Sequence, residues 1–207
     1  MGSIQVQRRR KISPRVKLAF SVGSLEDAMM QAASIATMLF YNQVLGVSAA
    51  LCGLAFLVAS LVDAFSDPLI GAWSDRVQTR WGRRHPFMLL SALPIGLFFF
   101  LLYQPPDLSE QGLFVWLLCM LVGARLAKTC FSVPHSALGA ELTDDYHERT
   151  SVFGWDWMMR LGGAVVLGIF VLLVIFPTTA DYENGLLDPD RYVYLAVMGS
   201  VLSASAV

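Results

Sequence analysis

The stretch from Ser48 to Trp73, SAALCGLAFLVASLVDAFSDPLIGAW, decides how the rest of the chain is read. It is long enough to cross a hydrocarbon core of about 30 Å, which takes about 20 residues of helix. Yet it carries two carboxylates, Asp63 and Asp67, four residues apart and therefore on one helix face. An ionisable side chain near the middle of a membrane helix costs at least ~2.5–3.5 kcal/mol by insertion scales. The segment reads as a membrane span whose charges serve something other than packing.

The remaining composition agrees. The 207 residues are 56% apolar and 15% charged, where an ordinary soluble domain has about 25% charge. Apolar runs fill the gaps between charges at about residues 18–45, 48–73, 86–103, 112–138, 151–176 and 192–207. Each is expected to be a helix, because every backbone polar group in lipid must be bonded within its own segment. Alternation at period two is missing, which excludes a membrane β-barrel. A water-soluble enzyme, a disordered tail and a nucleic-acid module are excluded as well, and a net charge of −1 offers no basic field for a polyanion. Cys52, Cys119 and Cys130 lie singly in apolar runs, so they read as small hydrophobes. The basic start is kept as mature sequence, since Glu26 and Asp27 interrupt the apolar stretch that a signal peptide needs.

Loop charge sets the expected orientation. Residues 1–17 form a basic terminus with Arg8, Arg9, Arg10, Lys11, Arg15 and Lys17, and the loop after the second span adds Arg76, Arg80, Arg83 and Arg84. Gln104 to Gln111 has no lysine or arginine, and Thr178 to Arg191 has one against four carboxylates. The amino terminus is therefore expected in the cytoplasm of a multi-pass protein, in a bacterial inner or plasma membrane. The loop between spans four and five is weakly negative and does not follow the rule. The last run offers sixteen residues, short of a comfortable crossing, and suggests the front part of a longer protein.

Further charges sit inside the spans. Glu26 and Asp27 fall in the first, Arg125 and Lys128 in the fourth, Asp156 and Arg160 in the fifth. The pattern sets an acidic site in spans one and two opposite a basic strip in span four. The plainer reading is structural ion pairing between helices, which needs no ligand. Two carboxylates on one face, however, gain little from each other unless a cation lies between them or one is protonated. Such oxygen clusters suit hard cations or proton carriage. Pro68, Pro94 and Pro134 permit kinks, and Gly162, Gly163 and Gly168 form a small-residue stripe for close helix approach.

Two stretches carry a family resemblance. The run Asp63-Ala-Phe-Ser-Asp67-Pro68-Leu-Ile-Gly71-Ala-Trp-Ser-Asp75-Arg76, with its continuation through Gly82, Arg83 and Arg84 to Pro86, resembles the second span and loop of the glycoside–pentoside–hexuronide:cation symporters. These are the melibiose permease relatives within the major facilitator superfamily. The run from Pro134 through Ala137-Leu138 and Glu141 to Arg149-Thr150 is similar to the end of their fourth span. The resemblance implies twelve helices in two halves, this chain supplying the six-helix N-terminal bundle with a truncated sixth helix over residues 18–207. The missing C-terminal half becomes the expected partner, with the lipid bilayer and a small-molecule solute.

By position, the resemblance makes Asp63 and Asp67, with Ser66 and Thr129, the expected cation ligands, and Asp27 the carboxylate that takes sugar hydroxyls. Arg125, Lys128 and Arg160 are expected to compensate charge or meet an anionic substrate. Gly71, Asp75, Arg76, Gly82, Arg83 and Arg84 match the cytoplasmic loop that latches helix ends and gates the cavity. Melibiose permease has an aspartate and a tryptophan where this chain places Ser132 and Ser136 on the substrate side. Where the family often has arginine near the start of span five, Asp156 stands here, with Arg160 one turn later.

The function implied is symport of a sugar or glycoside, coupled to Na+ or H+, by alternating access. No resident cofactor or metal is expected beyond the transported cation. A lysolipid or organic-anion cargo, and a non-transporting membrane subunit, are the other readings. An enzyme is not expected, for the sequence has no phosphate-binding glycine loop, zinc signature or serine–histidine elbow. His135 and His147 are placed near the cytoplasmic face.

Overall fold

The computed structural model describes residues 11–77, 79–80, 82, 84–180 and 182–207. Arg8, Arg9, Arg10 and Arg83 lie outside them. The described residues are helical with short connections and contain no strand.

The helices are α1 (Pro14–Val22), α2 (Leu25–Leu39), α3 (Ala49–Arg76), α4 (His85–Leu102), α5 (Glu110–Glu141), α6 (Tyr146–Phe170) and α7 (Tyr192–Ser205). Side-chain caps fix several starts. Ser13, Ser48 and Ser109 accept from backbone amides three residues on, and Asp145 accepts from the amides of His147 and Glu148. Among the described residues, four helices are long and apolar enough to cross a membrane: α3, α4, α5 and α6 with its extension to Ile175.

The first apolar stretch departs from expectation. Instead of one helix over 18–45, the chain breaks at Gly23 and Ser24, where the amides bond three residues back to Phe20 and Ser21. The second piece ends in a widened π turn, Phe40–Val44, and α6 ends in a matching one, Val171–Ile175.

Packing leaves one region loosely filled. The α5 helix packs on α3 and α4, α6 on α1 and α2, and α7 joins the groups through α4 and α2, while α5 and α6 barely touch. The opening between α2, α3, α5 and α6 becomes a cavity.

Polar contacts close each end. At one, Lys17 Nζ lies 2.9 Å from Glu148 and donates to Ser151 at 2.8 Å, joining α1 to α6. Arg84 lies 3.1 Å from both Asp75 and Glu141, joining α3, α4 and α5. At the other, Phe40, Tyr103, Phe176 and Tyr192 form an aromatic cluster. The Tyr41 hydroxyl donates to the Leu102 carbonyl at 2.7 Å, and the Ser48 amide to Glu110 at 3.0 Å.

The outer surface is apolar. Phe65, Leu90, Leu93 and Leu173 are each at least 70% exposed, while Glu26 and Asp156 are buried. Charge inside and hydrocarbon outside inverts the soluble pattern and suits a lipid surround.

The glycine stripe of α6 is only partly used. A Cβ on Gly163 would lie 3.1 Å from Ala28 and Leu25, so that residue lets α2 approach. Gly162 and Gly168 have nothing among the described residues within 4 Å of such a Cβ.

Candidate functional site

The site begins at the break in the first span. Restarting the helix at Leu25 puts Glu26 and Asp27 in the first turn of α2, where unbonded amides favour negative charge. That offsets part of the cost of holding carboxylates in the interior. Asp27 then receives two cations from different helices. Lys128 of α5 meets its Oδ1, and Arg160 Nη1 of α6 lies 2.6 Å from Oδ2. Arg160 also reaches Asp156 at 3.5 Å and stacks over the Trp157 ring at 5.1 Å. Asp156 accepts a hydrogen bond from Ser24 at the break.

On the opposite wall, Arg125 of α5 pairs with Asp63 of α3. Asp67, one turn further, is exposed and has no hydrogen bond or ion pair among the described residues. The Ser66 and Thr129 hydroxyls meet across α3 and α5 at 3.5 Å, and Thr129 donates to the Arg125 carbonyl at 3.0 Å. Gly71 admits the close approach lower on α3, since a Cβ there would lie 3.4 Å from Val133.

Between these walls lies a cavity of about 560 Å³, lined by Asp27, Asp63, Asp67, Lys128, Thr129, Ser132, Ser136 and Arg160 among others. A second space of about 190 Å³ shares Asp27 and Lys128 but runs toward Thr37, Phe56, Phe99 and Leu102. The Asp27–Lys128 pair therefore stands at the junction of the two. Arg125 lines the second space rather than the first.

Most of the expected site residues come together, with two differences. Asp63 is engaged by Arg125, so the four expected cation ligands are not all free in this conformation. Asp27 is held by two cations rather than open to a sugar. His135 is 7% exposed and packs against Phe20 and Phe131 beneath the break. Sequence reasoning also missed Ser24, whose bond to Asp156 depends on a kink that no local signal announces. In the loop, Gly82 takes a φ of +91°, which favours glycine, and accepts from the Thr79 hydroxyl at 2.6 Å.

These features define an all-helical, multi-pass membrane protein built around a charged interior cavity. Comparison with known proteins places it further. Residues 19–207 match the family model described as MFS/sugar transport protein. An uncharacterized symporter of Synechocystis sp. is 33% identical over 95% of this chain and 36% of its own length. The inner membrane symporter YicJ of Escherichia coli is 30% identical over 79% of the chain and 36% of its own length. The isoprimeverose transporter of Lactiplantibacillus pentosus is 32% identical over 72% of the chain and 30% of its own length. The chain belongs to the MFS/sugar transport family and, within it, to the glycoside–pentoside–hexuronide:cation symporters, a family of transporters rather than enzymes. It spans about a third of the length of the curated relatives it matches.

Proposed function

We propose that the protein is a secondary active transporter that couples inward movement of Na+ or H+ to uptake of a sugar or glycoside by alternating access. The carrying observation is the charge balance of the interior. The main cavity is lined by Asp27, Asp63 and Asp67 with Lys128 and Arg160, three carboxylates against two cations. A cavity with excess negative charge attracts a cation, and Asp67 faces it without a partner among the described residues.

The roles follow from position. Asp67, with Asp63, Ser66 and Thr129 nearby, receives the coupling cation. A cation arriving there competes with Arg125 for Asp63, and release of Arg125 disturbs the wall it shares with Lys128. Asp27, with Ser132 and Ser136 across the cavity, offers hydroxyl-bonding groups to a neutral polyol. Lys128 and Arg160 hold Asp27 until solute arrives. Because each cavity cation is already matched to a carboxylate, an anionic cargo is disfavoured relative to a neutral glycoside. The relative that transports isoprimeverose supports a glycoside-type cargo.

The remaining wall of the cavity comes, in this reading, from a second six-helix half. The end carrying Lys11, Arg15, Lys17, Arg76, Arg80 and Arg84 faces the cytoplasm of a bacterial inner or plasma membrane. Arg84, bridging Asp75 and Glu141, latches that end with Gly71, Arg76 and Gly82.

The test is uptake into proteoliposomes under imposed sodium or proton gradients, with labelled glycosides, uronides and lysolipids offered in parallel. Gradient-dependent accumulation of a neutral glycoside, lost in the Asp63→Asn, Asp67→Asn double variant, is the expected result. Preference for a lysolipid or an organic anion would overturn the cargo. Absence of gradient-dependent flux for every solute would leave a non-transporting membrane subunit.

A further inference from the structure

The break between α1 and α2 borders a small polar pocket that adjoins the main cavity through Asp27, Ser132, Ser136 and Arg160 but does not reach Asp63 or Asp67. Glu26 is 1% exposed, and its Oε1 has no hydrogen-bond partner among the described residues. His135, reaching in from α5, has neither ring nitrogen partnered among them. Its ring lies 4.1 Å from that of Phe20, centroid to centroid, and covers Gly23, where a Cβ would sit 2.9 Å from Cε1. Both side chains line a space of about 20 Å³, with Ser24, Asp27, Asp156 and Arg160 also at its wall.

Buried donors and acceptors are expensive to leave unmade, and Glu26, His135 and the Nε of Arg160 are three such groups at one pocket, which calls for a shared ligand. The space suits a single water, which needs about 10–15 Å³ and two or more polar partners. Charge points to what that water carries. The α2, α5 and α6 part of the network holds Glu26, Asp27 and Asp156 against Lys128 and Arg160. Asp27 and Asp156 take the direct contacts with these cations, which leaves Glu26 as the carboxylate of the three without an ion pair among the described residues. One proton balances it.

We propose that Glu26 and His135 form a buried proton-binding site, bridged by one water and distinct from the Asp63–Asp67 cation site. The proton exchange balances. The O–H bond at the Glu26 carboxyl breaks as one forms on the water, and a proton of that water forms an N–H bond on the imidazole. The products are a carboxylate and an imidazolium. Lys128, Asp27 and Arg160 act electrostatically on Glu26, and Asp156 and Arg160 on His135. From α1 the pocket receives Phe20, and α7, which packs on α2, carries no Asp, Glu, Lys, Arg or His. The site gives the interior a place for one proton besides a cation at Asp67. Its purpose rests on the coupled-transport reading, although proton binding itself does not.

The experiment is infrared difference spectroscopy on the protein in lipid bilayers, stepped from acidic to alkaline pH with no solute or gradient. The protonated-carboxyl stretch is expected to lose one component in Glu26→Gln and to keep that component in Asp67→Asn. In His135→Gln, where Glu26 stays in place, the titration midpoint of that component is expected to move by about one pH unit. A component that survives Glu26→Gln overturns the site, and an unmoved midpoint in His135→Gln overturns the partnership. Uptake measured on the same preparations reads the transport proposal separately: a wild-type protein without flux but with the titrating component refutes transport and not the proton site.

Discussion

Arg160 Nη1 lies 2.6 Å from Asp27 Oδ2, so the guanidinium of α6 is tied to the first turn of α2 immediately after the break in the first span. Lys128 of α5 meets the other oxygen of the same carboxylate. One side chain thus joins three helices around the cavity. Removing its charge leaves two partly buried cations without their principal partner. Asp27→Asn is expected to lower stability by about 2 kcal/mol, less than for fully buried pairs because the cations retain cavity solvent. Adding Lys128→Met is expected to recover part of the loss. Thermal unfolding in detergent for the single and double variants reads both effects, and a double variant no better than additive would count against a shared ion pair.

Asp63 and Asp67 stand one turn apart and differ in what they touch, so their variants should differ. Asp67 is exposed and has no partner among the described residues, and Asp67→Asn is expected to change stability by less than about 0.5 kcal/mol. Asp63→Asn strands Arg125 and is expected to cost about 1–2 kcal/mol. Both are expected to abolish cation-driven accumulation. Unfolding midpoints beside vesicle uptake separate the two roles; an Asp67→Asn protein that accumulates solute normally would remove Asp67 from the cation site.

The contrast between these carboxylates shows where sequence was informative and where it stopped. Their presence in an apolar run stood out because a charge in hydrocarbon is expensive wherever the helix packs. Their partners did not, because Asp63 and Arg125 are 62 residues apart and either carboxylate of the pair satisfies the same spacing. The helices after the first apolar stretch were legible from length and hydropathy. The break at Gly23 was not, since the ring of His135 fills the space a side chain would need, and that contact is tertiary. For the same reason the packing of His135 against Phe20 was not legible, since that contact also joins two helices. The loop motif was readable as a basic anchor, but the double engagement of Arg84 needed α5 to end beside α3.

Glycines in the helices divide by what surrounds them. At Gly199 an added Cβ would collide with the ring of Phe99, itself 1% exposed, so Gly199→Ala is expected to cost about 1–3 kcal/mol through overpacking of α4 against α7. At Gly162 the same Cβ meets nothing within 4 Å among the described residues, and Gly162→Ala is expected to gain about 0.5–1 kcal/mol from helix propensity. Thermal unfolding of both variants in one detergent checks the pair, and equal losses would contradict the close approach at Gly199.

Arg84 offers a test of the latch. Its side chain is 11% exposed, while those of Asp75 and Glu141, each 3.1 Å away, are 58% and 50% exposed. Solvent on the acidic partners limits what the pairs contribute to stability, and Arg84→Ala is expected to cost only about 1 kcal/mol. The larger effect should be conformational, because the guanidinium is what holds the ends of α3 and α5 to the start of α4. With it removed, that end of the cavity should open more often. A cysteine placed at Ser136, which lines the cavity from α5, is expected to react faster with a water-soluble thiol reagent in Arg84→Ala than with Arg84 intact. One nitrogen, Nη2, meets both carboxylates, so Arg84→Lys, which keeps a single charged donor nitrogen, is expected to label at a rate closer to that with Arg84 intact than to that of Arg84→Ala. Cys119 is exposed, so the comparison uses a background in which Cys52, Cys119 and Cys130 are replaced. Equal labelling rates in all three proteins would show that Arg84 anchors the loop without gating the cavity.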